Sequence, residues 1–216
     1  LLWAACMTMP DIMFHVSHLS QFMASPSTKA YEAVLDLLQY AYQRRKLGLT
    51  YGGARCHSPP PSDGSMPEIW SDASFGGKQY RPYGGGFIMW QGACVSWIAR
   101  RLRFIPLSSC EAEIGALFIM LKEAMFVKAV LEDMGVKLVG PCPAFTDSSS
   151  GIDVVKNVGV TKHTIHVGRW LHWARDLYMA KWFSLTHVTT DKMMADDKTK
   201  VLDRAKFLKC RAFQIN

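Results

Sequence analysis

From Ser109 to Met134 the chain runs without a proline, and Ile114, Leu117, Phe118, Leu121, Met125 and Leu131 return at helical period until Gly135 closes the run. This predicts the longest helix of the chain. The three segments before it, EIWSDASF, GGGFIMWQ and ACVSWIA, read as strands, the last two joined by a Gln-Gly turn, so an antiparallel meander leads into the helix. After the helix, PAFTDS reads as a short strand ending in an acid, SGIDVVKNV and RWLHWARDLYM as helices, and WFSLTHV as a last strand. The order βββαβααβ, followed by a polar tail read as helical, predicts a mixed α/β fold.

Upstream the pattern changes. Ile12, Val16, Leu19 and Met23 share one helical face, and Ala33, Leu37, Tyr40 and Ala41 share another, with a break at Pro26 and a second start near Thr28. LGLTYGG is expected as a short strand or turn. Residues 52–67 hold four prolines and three glycines with almost no apolar content. They read as a linker between a helical segment, 1–51, and a body, 68–216.

The 216 residues, 49% hydrophobic and 20% charged, suffice for one core plus an appended piece. A large multidomain enzyme and a disordered chain are both excluded. The net charge is +7, with the excess almost wholly after residue 65, which fits a polyanionic ligand such as nucleic acid. Six cysteines without a CxxC pair argue against a zinc ribbon or a thioredoxin-type site. Reduced thiols and an intracellular setting, cytoplasm or nucleus, are expected. No apolar run approaches the roughly 18 residues of a membrane helix, and the opening LLWAACMTMPDI lacks a basic flank, so no membrane partner and no secretion are expected. A chain that opens on Leu1 is expected to be a piece of something longer.

Asp72 falls in the first strand, Glu113 in the first turns of the long helix and Asp147 at the end of the fourth strand. Such a sheet can bring the three together. Gathered carboxylates repel, so they call for a divalent cation, and hard oxygen ligands suit magnesium or manganese. The bland alternative for each is a turn or a helix cap. Ser108 stands three residues before Glu111, the sequence form of a capping box, so Glu111 has a structural task. Glu113 shares a face with Leu117 and Met120, where an unpaired carboxylate is costly.

The set SDAS, GGGFIMWQGACVSW, SSCEAEIGAL, FTDSSSGI, TKHTIH and DKMMADDKTK resembles the ribonuclease H domain of copia-type LTR retrotransposon polyproteins, in order, across residues 68–200. MPDIMFHVSHLSQFMASPSTKAYEAVLDLLQY and LGLTYGG are similar to the reverse-transcriptase connection segment that precedes it. The resemblance implies a ribonuclease H-like mixed five-stranded sheet flanked by helices, with an N-terminal helical extension. It also implies that Asp72 bridges two ions, Mg2+ or Mn2+, that Glu113 and Asp147 complete the first site, and that water attacks the RNA strand of an RNA/DNA hybrid. The family pattern places a fourth Asp after the His of a KHID segment, but here KHTIHVGRW carries no carboxylate in register. Either His163 or His166 serves as a ligand, or Asp176 reaches in, or the second site is weakened and manganese is favoured. The runner-up function is therefore a weakened ribonuclease H fold that binds nucleic acid or a protein.

Arg100, Arg101 and Arg103 are read as crowding the loop before the long helix beside Trp97 and Phe104, where they suit a phosphate backbone. Lys162, Arg169 and Arg175 extend that strip. Trp170, Trp173 and Trp182 alternate with apolar neighbours and read as core. The tail acids Asp191, Asp196 and Asp197 read as capping or solvating a terminal helix. No aspartate pair sits in an apolar hairpin, so no DNA synthesis is expected of this chain alone; the polymerase part of the same polyprotein is its expected partner.

Overall fold

The computed structural model describes residues 1–51, 65–75, 81–157 and 168–215. Its strands are β1 (Glu68–Ala73), β2 (Tyr83–Trp90), β3 (Ala93–Arg101), β4 (Cys142–Thr146) and β5 (Phe183–His187). They form one sheet in the order β3-β2-β1-β4-β5. The first three pair antiparallel, whereas β4 runs parallel to both β1 and β5. The meander turns on Gln91 and Gly92, whose φ angles of 48° and 73° belong to a two-residue turn that matches the strand twist. This is the sheet that the ribonuclease H resemblance implies.

The helices are α1 (Leu2–Met7), α2 (Met13–Leu19), α3 (Thr28–Gln43), α4 (Ser109–Asp133), α5 (Ser149–Lys156), α6 (Gly168–Met179) and α7 (Arg204–Gln214). Local chemistry sets their starts. The hydroxyl of Ser27 accepts from the Ala30 N–H at 3.2 Å, and that of Ser108 from the Glu111 N–H at 3.2 Å. At the far end of α4, Gly135 takes a φ of +85°, which a side chain would strain. Among the described residues no helix is long and apolar enough to cross a membrane.

Strand alternation divides the core in two. Ile69, Ala73, Ile88, Ala144 and Leu185 pack with Ile114, Leu117, Leu121, Ile152 and Leu171 of α4, α5 and α6. On the opposite face Trp70, Phe87, Met89 and Cys94 pack with Met193, Met194, Ala195 and Cys210 of the tail. Trp70 stacks on Phe145 at 4.5 Å, with Phe213 of α7 edge-on at 5.2 Å. The tail is therefore not only a solvated helix. Residues 193–199 are buried before α7 begins, because Met193-Met194-Ala195 is an apolar run that fills the second face.

The N-terminal helices also lie against the sheet. Phe14 of α2 meets Tyr83 edge-on at 4.9 Å, the Trp97 indole donates to the Ala5 carbonyl at 2.6 Å, and the Gln21 amide donates to the Tyr83 hydroxyl. Tyr40 of α3 donates to Asp11 at 2.5 Å and accepts from Arg211 of α7 at 3.1 Å. Of LGLTYGG, expected as a strand or turn, the described residues 47–51 are irregular. Of the linker, residues 52–64 lie outside the described residues. Helix α1 was not predicted, because its apolar residues Leu2, Trp3 and Met7 are exposed and give no one-sided pattern.

Candidate metal centre

Asp72 is the fifth residue of β1, Glu113 lies in the second turn of α4, and Asp147 follows the last residue of β4. One carboxylate oxygen from each lies within 4.8 Å of the other two. Nearby polar groups take the structural tasks these acids could have had. Ser108 caps α4, and Glu111 accepts from the Leu107 N–H at 2.7 Å, one residue upstream of the usual capping-box donor. Ser148, not Asp147, caps α5, accepting from the Gly151 N–H at 3.0 Å.

What remains fits a cation. Glu113 accepts from the Ala73 N–H at 3.2 Å through Oε1, while its Oε2 is buried without a partner. Asp147 accepts from the Thr190 hydroxyl at 3.0 Å. Burial raises the Asp72 pKa to about 7 against the pull of Lys200 and Thr199, with repulsion from Asp196 and Asp147 adding to the rise. Glu113 is pushed well above the ordinary carboxylate range by burial first and then by Asp72 and Asp147. A divalent ion relieves both effects, and an all-oxygen set of this kind suits a hard cation.

The tail supplies what the sequence reading missed. Asp196 and Asp197, expected to cap or solvate a helix, are 0% and 1% exposed, because the apolar run before them carries the chain into the second core. Asp197 pairs with the buried Lys198 at 2.6 Å, and Gln214 accepts from the same ammonium at 2.5 Å. Asp196 turns toward the acid cluster. Its Oδ1 lies 2.6 Å from Lys200 Nζ, its Oδ2 pairs with Lys206, and the same Lys200 ammonium lies 3.8 Å from Asp72 Oδ2. The Thr199 hydroxyl donates to that Asp72 oxygen. A fourth carboxylate thus stands beside Asp72, and the readable signal was MMA ahead of the acids. Asp191 alone of the three tail acids is exposed.

Other expected residues scatter. Lys162, His163 and His166 lie outside the described residues. Asp176 is exposed on α6 and does not join the cluster. Arg100 and Arg101 are not in a loop but end the edge strand β3, paired with Gly84 and Tyr83. Alternation sends Arg100 to the α4 side near Arg103 and Glu123, and Arg101 to the α2 side near His18. Arg100, Arg103 and Arg169 are exposed. Arg175 is buried and donates to the Val154 carbonyl at 2.7 Å, tying α6 to α5 rather than extending a basic strip. Trp97 is committed to Ala5, Phe104 meets Trp170 at 4.6 Å, and Trp173 and Trp182 pack on the core.

No family model matches the chain. It is 29% identical over 213 residues, 98% of its length, to the retrovirus-related Pol polyprotein from transposon TNT 1-94 of Nicotiana tabacum, covering 15% of that polyprotein. It is 26% identical over 204 residues, 93% of its length, to the corresponding polyprotein from transposon RE1 of Arabidopsis thaliana, covering 13% of it. The chain thus spans a small part of these relatives, and the match runs through the N-terminal helices and the sheet together. Among solved structures, LC11-RNase H1 isolated from compost aligns with 62% of this chain and 92% of its own at 16% identity and a TM-score of 0.49.

Proposed function

Because the chain is homologous over nearly its whole length to retrovirus-related Pol polyproteins of plant transposons, we propose that it is a metal-dependent endonuclease of ribonuclease H type, hydrolysing the RNA strand of RNA/DNA hybrids during retroelement replication. The observation that carries this reading is the meeting of Asp72, Glu113 and Asp147 within 4.8 Å at the carboxyl ends of two parallel strands and the start of α4. In this reading Asp72, Glu113 and Asp147 would hold one ion, and Asp72 and Asp196 would hold a second. When bound, two ions activate water and neutralise charge at the phosphate being cut.

The chain's own groups prepare that chemistry. The Ala73 N–H fixes Glu113, Thr199 fixes Asp72 and Thr190 fixes Asp147, so each carboxylate is oriented before an ion arrives. Arg100, Arg103 and Arg169 are exposed and suit the hybrid's backbone, with Lys162 assigned the same role from the sequence. Arg101 turns to the other face and is left out of that contact. With Asp196 beside Asp72, neither His163 nor His166 is needed as a ligand, and magnesium serves as well as manganese. The binding-module alternative rested on a missing fourth acid, and it loses that support.

The N-terminal helices, residues 1–51, are in this reading the segment linking the nuclease to the polymerase part of the polyprotein. The described cysteines, Cys6, Cys94, Cys110, Cys142 and Cys210, are free thiols, which supports an intracellular setting. The test is a gel assay of end-labelled RNA/DNA hybrid, duplex DNA and duplex RNA with Mg2+, Mn2+ or EDTA. Metal-dependent cutting confined to the RNA strand of the hybrid is expected. Equal cutting of duplex RNA, or cutting that survives EDTA, contradicts the reading.

A further inference from the structure

Three charged side chains of the tail, Asp196, Lys200 and Lys206, meet Asp72 of β1 at the second ion position, and the two lysines are not equivalent. Lys206 is anchored: besides its pairing with Asp196 Oδ2, its ammonium donates to the Thr190 carbonyl at 2.8 Å, and its side chain is 22% exposed. The Lys200 ammonium, by contrast, has no backbone acceptor among the described hydrogen bonds. It reaches across two carboxylates, 2.6 Å from Asp196 Oδ1 and 3.8 Å from Asp72 Oδ2, on a side chain 40% exposed. It stands where a cation shared by Asp72 and Asp196 would stand, and it is the one of the two lysines free to leave.

We propose that Lys200 is a built-in, displaceable cation of the second ion position, competing with the divalent ion for Asp72 and Asp196. The inference rests on the two-ion nuclease reading above. A lysine ammonium is a compact point charge on a flexible stem, able to neutralise two carboxylates without the fixed geometry that an ion demands. While it bridges Asp72 and Asp196 the pair is held together and compensated, so the site survives without metal. Binding of the second ion must expel it. The first position, built from Glu113, Asp147 and the remaining coordination of Asp72, has no lysine paired with Glu113 or Asp147 among the described ion pairs. The two positions therefore fill in sequence, the second only at higher ion concentration, and Lys200 sets the gap between them.

The experiment is a Mn2+ titration of the whole chain without substrate, reading free Mn2+ by electron paramagnetic resonance. Wild type is compared with Lys200→Met, Lys200→Gln, Asp196→Asn and, as a charge control, Lys192→Met, with thermal melts recorded for each. Wild type should bind one ion tightly and one weakly. Lys200→Met and Lys200→Gln should each tighten the weaker site by about tenfold or more and leave the tighter site within about threefold, because a competitor has been removed from one position only. Asp196→Asn should abolish the weaker site, and Lys192→Met should move neither. If both Lys200 variants fold and the weaker affinity is unchanged or falls, Lys200 is no competitor and the proposal is overturned. An equal gain in Lys192→Met overturns it too, because the effect is then general charge. If folded wild type, Lys200→Met and Lys200→Gln bind no Mn2+ at all, the two-ion reading itself fails, and the proposal with it.

Discussion

Glu111 and Glu113 stand two residues apart on α4 and face different partners, Glu111 the Leu107 N–H and Glu113 the acid cluster. Replacing Glu113 by Gln should remove metal-dependent cleavage while the melting temperature holds or rises, since a repelling charge leaves a buried cluster. Replacing Glu111 by Gln should leave cleavage within a few-fold and cost about 1 kcal/mol in a denaturant titration, the usual worth of a helix-start contact. Reversal of the two results would mean that the helix register has been misassigned. Asp196 is the second residue to test. Asp196→Asn should lower Mg2+-supported cleavage by about 100-fold, whereas His163→Ala and His166→Ala should each stay within a few-fold. A histidine variant as damaging as Asp196→Asn would return the ligand role to the TKHTIH segment.

At the scale of elements, β2 explains why so little may change in the centre of the sheet. A Cβ at Gly85, the residue opposite Asp72, would stand 2.0 Å from the Ile98 carbonyl oxygen of β3. Backbone cannot yield as a side chain can, so Gly85→Ala should cost on the order of 3 kcal/mol and pull β1 out of place, visible as lost Mn2+ binding along with lost stability. The buried Asp197–Lys198 pair behaves differently. Lys198→Met leaves a carboxylate uncompensated in the second core and should cost roughly 3–5 kcal/mol, most of it recovered when Asp197→Leu is added. The strands and the long helix were legible because period and punctuation coincide: the Gln-Gly turn, the Ser108 start and the Gly135 stop are each visible in the sequence. The second face was not legible. Its cover comes from Met193, Met194 and Ala195 in a polar stretch, and from N-terminal helices whose packing partners are remote in sequence, such as Phe14 with Tyr83. Three of the four acids of the candidate site could be read from strand ends and a helix start, whereas Asp196 was missed, because its one signal was the short apolar run Met193, Met194 and Ala195 that carries it in from the second face.

For the whole molecule, the acid cluster ties stability to pH and to metal. A carboxyl with a folded pKa near 7, against about 3.9 unfolded, keeps its proton longer in the folded chain, so the folded state binds more protons between those values. Stability without metal should be greatest, as far as Asp72 is concerned, below about pH 4, and should be lost as pH rises from about 4 to about 7, Glu113 acting in the same direction. Mg2+ should offset that loss, so the melting temperatures in Mg2+ and in EDTA should separate across the same window, and Asp72→Asn should flatten the difference. Equal separation at pH 4 and pH 7.5 would contradict this. The central claim, that this sheet cuts RNA in hybrids with ions held around Asp72, meets its most direct test in one measurement: cleavage of a labelled RNA/DNA hybrid at pH 8 in Mg2+ by the wild-type chain and by folded Asp72→Asn. The account predicts cutting of the RNA strand by wild type and a fall of at least about 1,000-fold in the variant, because one carboxylate serves both ions. Undiminished cutting by Asp72→Asn would contradict it, as would a folded, Mg2+-binding wild type that leaves the hybrid intact.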